Sequence, residues 1–291
     1  MPLSYSIFSA FYQRLQASAS QASWTEVQHF DSSAGSDIMK EMKKYKWIRK
    51  PENAKFIERP NRFTAIVELS GKKKKVYLPD PGRLEELLLP GNEVILEKRR
   101  NSGKTEHDLL LVKTKAFPTG EPLLVSVDSR LPNLLFRWLI DEKILRHFGK
   151  VKYVKPEPVV NHGRLDFYIE SDNGKHYIEL KSVNLIDAEG TARFPDAPTK
   201  RGTKHIKELI RLNSEGFHSW IFFMIVRKDA LKFSPFFERD PELSEALNEA
   251  SKNGVQIKAL QFSPGIDVEF CGELRVELEK GSFPGFWPEV K

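Results

Sequence analysis

Cysteine is nearly absent from this chain: Cys271 is the only one among 291 residues. It has no partner for an internal disulfide. That excludes a disulfide-stapled secreted fold and favours a reducing compartment. It also excludes cysteine-based zinc-finger spacings. Long hydrophobic runs are missing as well. No stretch approaches the ~18 apolar residues of a membrane span, so a membrane partner is not expected and a cytoplasmic location is. No internal repeat or low-complexity tract is present. The first residues lack a basic region followed by an apolar one, so a secretory signal is not expected.

Hydrophobic residues make up 40% of the chain and charged residues 30%. That is enough apolar material for a core, and the length allows one large domain or two small ones. The net charge of +6 is unevenly spread. Residues 43–115 hold 19 Lys and Arg against 10 Asp and Glu, a net +9. Residues 1–42 net −2 and residues 116–291 net −1. So concentrated a basic excess points to a polyanionic partner, most simply nucleic acid. A well-solvated basic surface is the bland alternative.

The chain divides into three parts. Residues 1–42 are rich in Ser, Ala and Gln and read as a disordered or loosely helical extension, dispensable for folding. Their Ser content leaves a transit peptide open, although Arg14 is their only arginine. Residues 43–127 read as short strands: Phe63–Leu69, Val76–Leu78, Asn92–Lys98, Asp108–Lys113 and Pro122–Val127. A hairpin with a basic tip, Lys72–Lys75, joins the first two. A short helix is expected at Arg83–Leu89, between Pro81-Gly82 and Pro90-Gly91. Five short strands with basic loops fit an OB-like barrel, which holds nucleic acid by charge and aromatic stacking. Phe63 and Tyr77 are stacking candidates, though aromatics in small barrels more often fill the core.

Residues 128–291 alternate helix and strand. Helical periodicity runs over Asn133–Phe148 and Lys204–Glu215, and Asp240-Pro241 caps a further helix that Gly254 closes. Ile221–Val226 is an unbroken apolar run, as for a strand buried on both faces. An α/β layer domain is implied.

The sharpest chemical feature is Asp166 followed by Glu179-Leu180-Lys181. Glu-x-Lys alone means little, and it recurs at Glu41-Met42-Lys43. The hairpin around it gives it meaning. Asn173-Gly174 predicts a two-residue type I′ turn. That register sets Phe167 opposite Leu180, and Asp166 opposite Lys181 and diagonal to Glu179. Two carboxylates suit Mg²⁺, a hard cation that keeps several waters. An adjacent lysine can orient the attacking water and offset phosphate charge, which suits phosphodiester hydrolysis. The bland alternative is a surface Asp–Lys pair across a hairpin. Downstream, Arg201, His205 and Glu208 share one helix face. Arg201 could bind a phosphate near the helix start, and His205 could assist proton transfer. An ordinary basic amphipathic helix is the competing reading.

Together these motifs resemble the sugar fermentation stimulation protein A family (SfsA). The resemblance rests on Arg59-Pro60-Asn61-Arg62-Phe63, Gly82-Arg83-Leu84, Arg164-Leu165-Asp166-Phe167 and Ile178-Glu179-Leu180-Lys181-Ser182-Val183. Phe194-Pro195-Asp196-Ala197, Arg201-Gly202, His205, Glu208-Leu209 and Ser234-Pro235 extend it, over roughly residues 52–280. It implies an N-terminal OB-like barrel followed by a PD-(D/E)xK nuclease-like α/β domain, and DNA binding of low sequence specificity. The family name adds a link to sugar, and particularly maltose, metabolism. Asp166, Glu179 and Lys181 match the nuclease-like motif, with His205 as a further catalytic candidate. Asp166 and Glu179 are the expected Mg²⁺ ligands, with Glu157 a weaker one and Mn²⁺ the alternative ion. Arg59, Arg62, Lys72, Lys73, Lys74, Arg83 and Arg201 are the candidates for nucleic-acid binding. There are departures: Asp80-Pro81 stands where the family often has Asn-Thr or Asn-Ser. Arg137 stands where a helix acid is expected, with Asp141 or Glu142 as substitutes. The expected partner is DNA, single- or double-stranded, with RNA a weaker reading and a homodimer left open. The alternative function is a non-cleaving DNA-binding regulator.

Overall fold

In the computed structural model, residues 43–99, 103–161 and 163–278 are described. The expected extension at 1–42 lies outside them. The first strand, β1 (Lys44–Lys46), is followed by six strands of one sheet: β2 (Pro51–Asn61), β3 (Thr64–Leu69), β4 (Lys72–Tyr77), β5 (Glu93–Lys98), β6 (His107–Lys115) and β7 (Pro122–Ser126). They are ordered β4-β3-β2-β5-β6-β7, and a parallel contact of Tyr77 with Asp108 joins β4 to β6 and closes the barrel. Inward residues alternate along each strand, and Phe56, Val67, Val76, Leu96 and Leu109 fill the interior.

Two expectations for this region are corrected. The lysine run is not a loop tip. The hairpin turns at Ser70-Gly71, both at positive φ, so Lys72–Lys75 lie within β4 opposite Leu69 to Ile66. A two-residue turn of this hand needs left-handed backbone at both positions, which glycine supplies at the second. Nor is there a helix at 83–89, only a turn in which Leu87 and Leu88 N–H groups donate to Leu84 O. The helix start is consumed elsewhere: the N–H groups of Arg83 and Leu84 donate to the Asp196 carboxylate, and Leu84 sits at φ 55°.

The second domain opens with α1 (Leu131–Asp141), then β8 (Val151–Pro156) and the two-residue strands β9 (Val159–Val160) and β10 (Gly163–Arg164). β11 (Phe167–Ser171), β12 (Gly174–Val183), β13 (Leu185–Ile186) and β14 (Thr191–Phe194) lead to α2 (Lys200–Ser214). β15 (His218–Ile225), β16 (Lys232–Pro235), α3 (Pro241–Lys252), β17 (Gln256–Ser263) and β18 (Asp267–Leu274) complete it. The main sheet runs β1-β18-β17-β15-β12-β11-β8, with β12, β15 and β17 parallel. β1 therefore belongs to this sheet and not to the barrel, whose strands begin at Pro51.

The apolar run at 221–226 is explained by its place at the sheet centre. Trp220, Phe222 and Met224 face the α1 side with Phe136, Phe148 and Phe167. Ile221, Phe223 and Ile225 face α2 and α3 with Leu209 and Leu243. The first helix stops at Asp141, short of the expected Phe148. Lys143 at φ 57° reverses the chain while Lys143 N–H donates to Ile140 O and Ile144 N–H to Leu139 O, closing the helix end. Leu145 and Phe148 still reach the core beyond that turn.

Candidate functional site

The hairpin of β11 and β12 carries the chemistry, in a register two residues from the expected one. Ser171 pairs with Gly174 and Phe167 with Ile178, so the loop is Asp172-Asn173. Ser171 decides this: its hydroxyl accepts from Asn173 N–H, and Asp172 N–H is tied to Lys150 O. A two-residue shift preserves the faces, because side chains alternate with period two. Asp166, one step beyond the Phe167–Ile178 pair, therefore comes directly opposite Glu179 rather than Lys181.

Each acid is held by specific donors. Asp166 Oδ2 accepts from Leu180 N–H at 2.7 Å, and Oδ1 from Asn133 Nδ2, in the first turn of α1, at 3.0 Å. Glu179 Oε1 accepts from Lys181 Nζ at 2.5 Å and lies 2.6 Å from His205 Nδ1. Glu179 Oε2 is buried with no hydrogen-bond partner. Arg201 Nε lies 3.4 Å from His205 Nε2. Arginine only donates, so Nε2 accepts and Nδ1–H donates to Glu179.

The two carboxylates are driven apart in acidity. Burial raises the Asp166 pKa, and the adjacent Glu179 charge raises it further. Burial works against ionised Glu179 too, but Lys181 and His205 outweigh it and hold its pKa below the ordinary value. Among the described residues, no group of three or more His, Cys, Asp or Glu side chains gathers to hold a metal. The donors on offer are the two carboxylates. The unpartnered, buried Oε2 beside a second carboxylate fits a hard cation that completes its shell with water.

These groups line an open cleft of about 1000 Å³ that reaches the barrel. Arg59, Arg62, Arg83 and Arg201 line it with Asp166, Glu179 and Lys181. Their roles differ. The Arg59 guanidinium donates to the carbonyls of Gly82, Arg83, Arg62 and Asp80, organising the barrel loop. Arg62 and Arg83 form no side-chain ion pair among the described residues.

Several predicted residues are not brought here. Glu157 is an exposed side chain paired with Arg164 and lies outside the cleft, because its φ of 48° turns it away from the Asp166 face. Lys72, Lys73 and Lys74 lie along β4, away from the cleft, and Lys74 pairs with Glu106. Asp141 and Glu142 pair with Arg137 and Lys43 at the far end of α1. Glu208 is buried against Arg211. Phe63 is exposed at the tip between β2 and β3, stacked on Tyr77, whose ring also meets the Arg99 guanidinium.

Sequence reasoning missed Asn133, and with it Asp80, Asn184 and Asp196. The signal for Asn133 was its spacing of three and seven from buried Phe136 and Ile140, which puts a polar residue on the inner helix face. Asp80 is buried. Its Oδ1 accepts from Gly82 N–H at 2.7 Å, and its Oδ2 lies 3.4 Å from Asn184 Nδ2. Burial, with Asp196 nearby, pushes its pKa up to about 6. A Cβ on Gly82 would lie 2.9 Å from both Asp80 Oδ1 and Asp196 Oδ2, so this close approach requires glycine.

An OB barrel joined to a nuclease-like α/β domain, with two carboxylates and a lysine on the hairpin of the second, defines the class of protein. The comparisons agree. A family described as "Sugar fermentation stimulation protein RE domain" matches residues 130–267, and "SfsA N-terminal OB domain" matches residues 57–125. The chain belongs to the sugar fermentation stimulation protein (SfsA) family. A homologue from Desulforamulus reducens is 41% identical over 207 residues, covering 71% of this chain and 84% of the relative. One from Pyrobaculum arsenaticum is 39% identical over 227 residues, covering 77% and 93%. Among solved structures, Pyrococcus furiosus SfsA, described in complex with Ca²⁺, is similar with a TM-score of 0.74 and 31% identity. It covers 81% of this chain and 99% of that one. No helix among the described residues is long and apolar enough to cross a membrane.

Proposed function

We propose that the chain binds DNA with low sequence preference along the cleft and hydrolyses phosphodiester bonds there with Mg²⁺. The observation that carries this is the division of Glu179: one oxygen is held by Lys181 and His205, the other buried and unpartnered beside Asp166. A metal ion bound by Asp166 and Glu179 would polarise a phosphoryl oxygen and lower the pKa of bound water. Leu180 N–H and Asn133 fix the Asp166 carboxylate, so its geometry is set before any ligand arrives. Lys181 sets a positive charge beside Glu179, where charge would otherwise build up on a reacting phosphate. His205 orients Glu179 through Nδ1–H and can take a proton at Nε2. The Ca²⁺ described for the Pyrococcus furiosus relative supports a divalent-cation site.

The test is incubation of plasmid, oligonucleotide and RNA substrates with Mg²⁺, Mn²⁺ or EDTA, for the wild type and Lys181→Ala. Metal-dependent cleavage lost in the variant is expected. In calorimetry, Asp166→Asn weakens metal binding but leaves salt-sensitive DNA binding near wild type. Absence of Mg²⁺ and Mn²⁺ binding, with DNA present, sinks the hydrolytic reading. A second reading, a DNA-binding regulator that does not cut, is favoured by one observation: Asn133, not an acid, is what α1 offers Asp166. Tight binding without cleavage under every metal condition selects it.

A further inference from the structure

Behind the Asp166–Glu179–Lys181 centre lies a second, smaller cavity of about 310 Å³, lined by Gly163, Arg164, Lys200, Arg201, Lys204 and His205. Four of its six walls are cations, and none is an acid. Only Arg164 has an ion-pair partner among the described residues, the exposed Glu157. The cavity is not remote from the cleft, since Arg201 lines both. Nor is it remote from the carboxylates. His205 is buried, its Nδ1 lies 2.6 Å from Glu179 Oε1, and its Nε2 side faces Gly163 and Arg201 in the cavity wall. Gly163, at φ 143°, sits against this wall, where a Cβ would be in ordinary contact with Nε2 at 3.8 Å.

We propose that this cavity is a phosphate-binding subsite, taking a phosphoryl group of the strand that runs out of the cleft past Arg201. The proposal rests on the nucleic-acid reading above and deepens it. Four convergent lysine and arginine charges, three of them without an acidic partner among the described residues, suit phosphate oxygens better than any other common group of this size. An anion here would lie against the Nε2 side of His205, the ring whose Nδ1 holds Glu179, so the ring is the natural reporter of occupancy. The phosphoryl group comes either from a strand end or from within the backbone, and the two sources are separable.

The experiment compares the full chain with Lys200→Gln/Lys204→Gln and with Lys228→Gln/Lys252→Gln, an equal charge change lining neither cavity. Each is titrated with 5′-phosphate duplex, 5′-hydroxyl duplex and closed circular DNA across a salt series. Loss of roughly tenfold in affinity, with a salt slope shallower by about 1–2, is expected for the first double variant only. If a strand end fills the site, the wild type prefers the 5′-phosphate duplex and the variant loses that preference. If an internal phosphodiester fills it, all three DNAs weaken together. Lys200→Arg/Lys204→Arg should restore binding. Inorganic phosphate is titrated separately while the His205 ring signals are followed by NMR. Shifts in the wild type but not in the Gln variant establish the subsite even if no DNA binds, in which case the nucleic-acid reading fails alone. Wild-type DNA affinity and slope in the variant, with no phosphate-induced shift at His205, overturn the subsite and leave DNA binding standing.

Discussion

The buried Asp80 carboxyl gives a prediction whose sign and size both follow from the structure. Its pKa is about 6 in the folded chain, against 3.8 for the ordinary group. Burial is the main cause, with the Asp196 charge adding to it and the Gly82 N–H, Arg59 and Asn184 opposing. Between these values the folded state binds more protons than the unfolded one. Stability contributed by this group is therefore present below about pH 4 and lost as pH rises through 6. About two pH units correspond to roughly 3 kcal/mol at most. Asp80→Asn removes the titration and can keep the Gly82 N–H contact through its amide oxygen, with Asn184 turning to accept. Constant terms cancel in a double difference: variant minus wild-type unfolding free energy at pH 7.5, minus the same quantity at pH 4.5. This difference should favour the variant by about 2 kcal/mol in urea titrations followed by tryptophan fluorescence. A difference near zero, or one of opposite sign, refutes the buried-charge argument.

His176 should act in the opposite sense: burial, with His218 stacked on it, lowers its pKa to about 4, so the stability it supports at neutral pH is lost as pH falls from 6.5 towards 4. His176→Phe, whatever its baseline cost, should lose roughly 2–3 kcal/mol less than the wild type over that interval in the same titration. Gly82→Ala should destabilise by about 1–3 kcal/mol in thermal melts, because its Cβ meets two carboxylate oxygens at 2.9 Å; an unchanged melt would show that the loop shifts freely. Phe63→Ala should weaken single-stranded DNA binding by about 1–3 kcal/mol while Phe63→Trp retains it, read by fluorescence anisotropy; equal affinities would assign Phe63 no base contact.

Much of this arrangement was legible because it depends on local alternation. The buried central strand showed as an unbroken apolar run at 221–226, and the α3 cap showed as Asp240-Pro241, whose carboxylate indeed accepts from Leu243 N–H. Asp166, Glu179 and Lys181 were legible as one face even though the register was displaced by two, since period two is blind to that error. What failed was set at long range. The turn at 83–88 reads as a helix until Asp196, more than a hundred residues on, takes its first N–H groups. Glu157 was expected as a weaker ligand from the resemblance, but its own left-handed backbone, at φ 48°, leaves it exposed outside the cleft. Asn133 was visible as a helical residue and not as a partner of Asp166, because contact across 33 residues leaves no periodic trace.

The basic excess of residues 43–115 shows how a charge count and a binding surface part company. Many of those cations are already engaged. Lys44 pairs with Glu269, Lys113 with Glu93, Lys74 with Glu106 and Arg99 with Asp108. Arg59 is spent on four backbone carbonyls. The cations left to meet a phosphate in the cleft are Arg62 and Arg83 from the barrel, with Arg201 from α2 opposite. Arg59 still matters, but indirectly: it shapes the loop whose N–H groups Asp196 grips, and that grip holds Arg83 over the same cleft as Asp166. With one more phosphate in the adjoining cavity, the salt dependence of DNA binding should count about four phosphates, a slope near −3 to −4, rather than the nine that the net charge would give. A slope near −8 would mean that the β4 lysines bind DNA independently of the cleft.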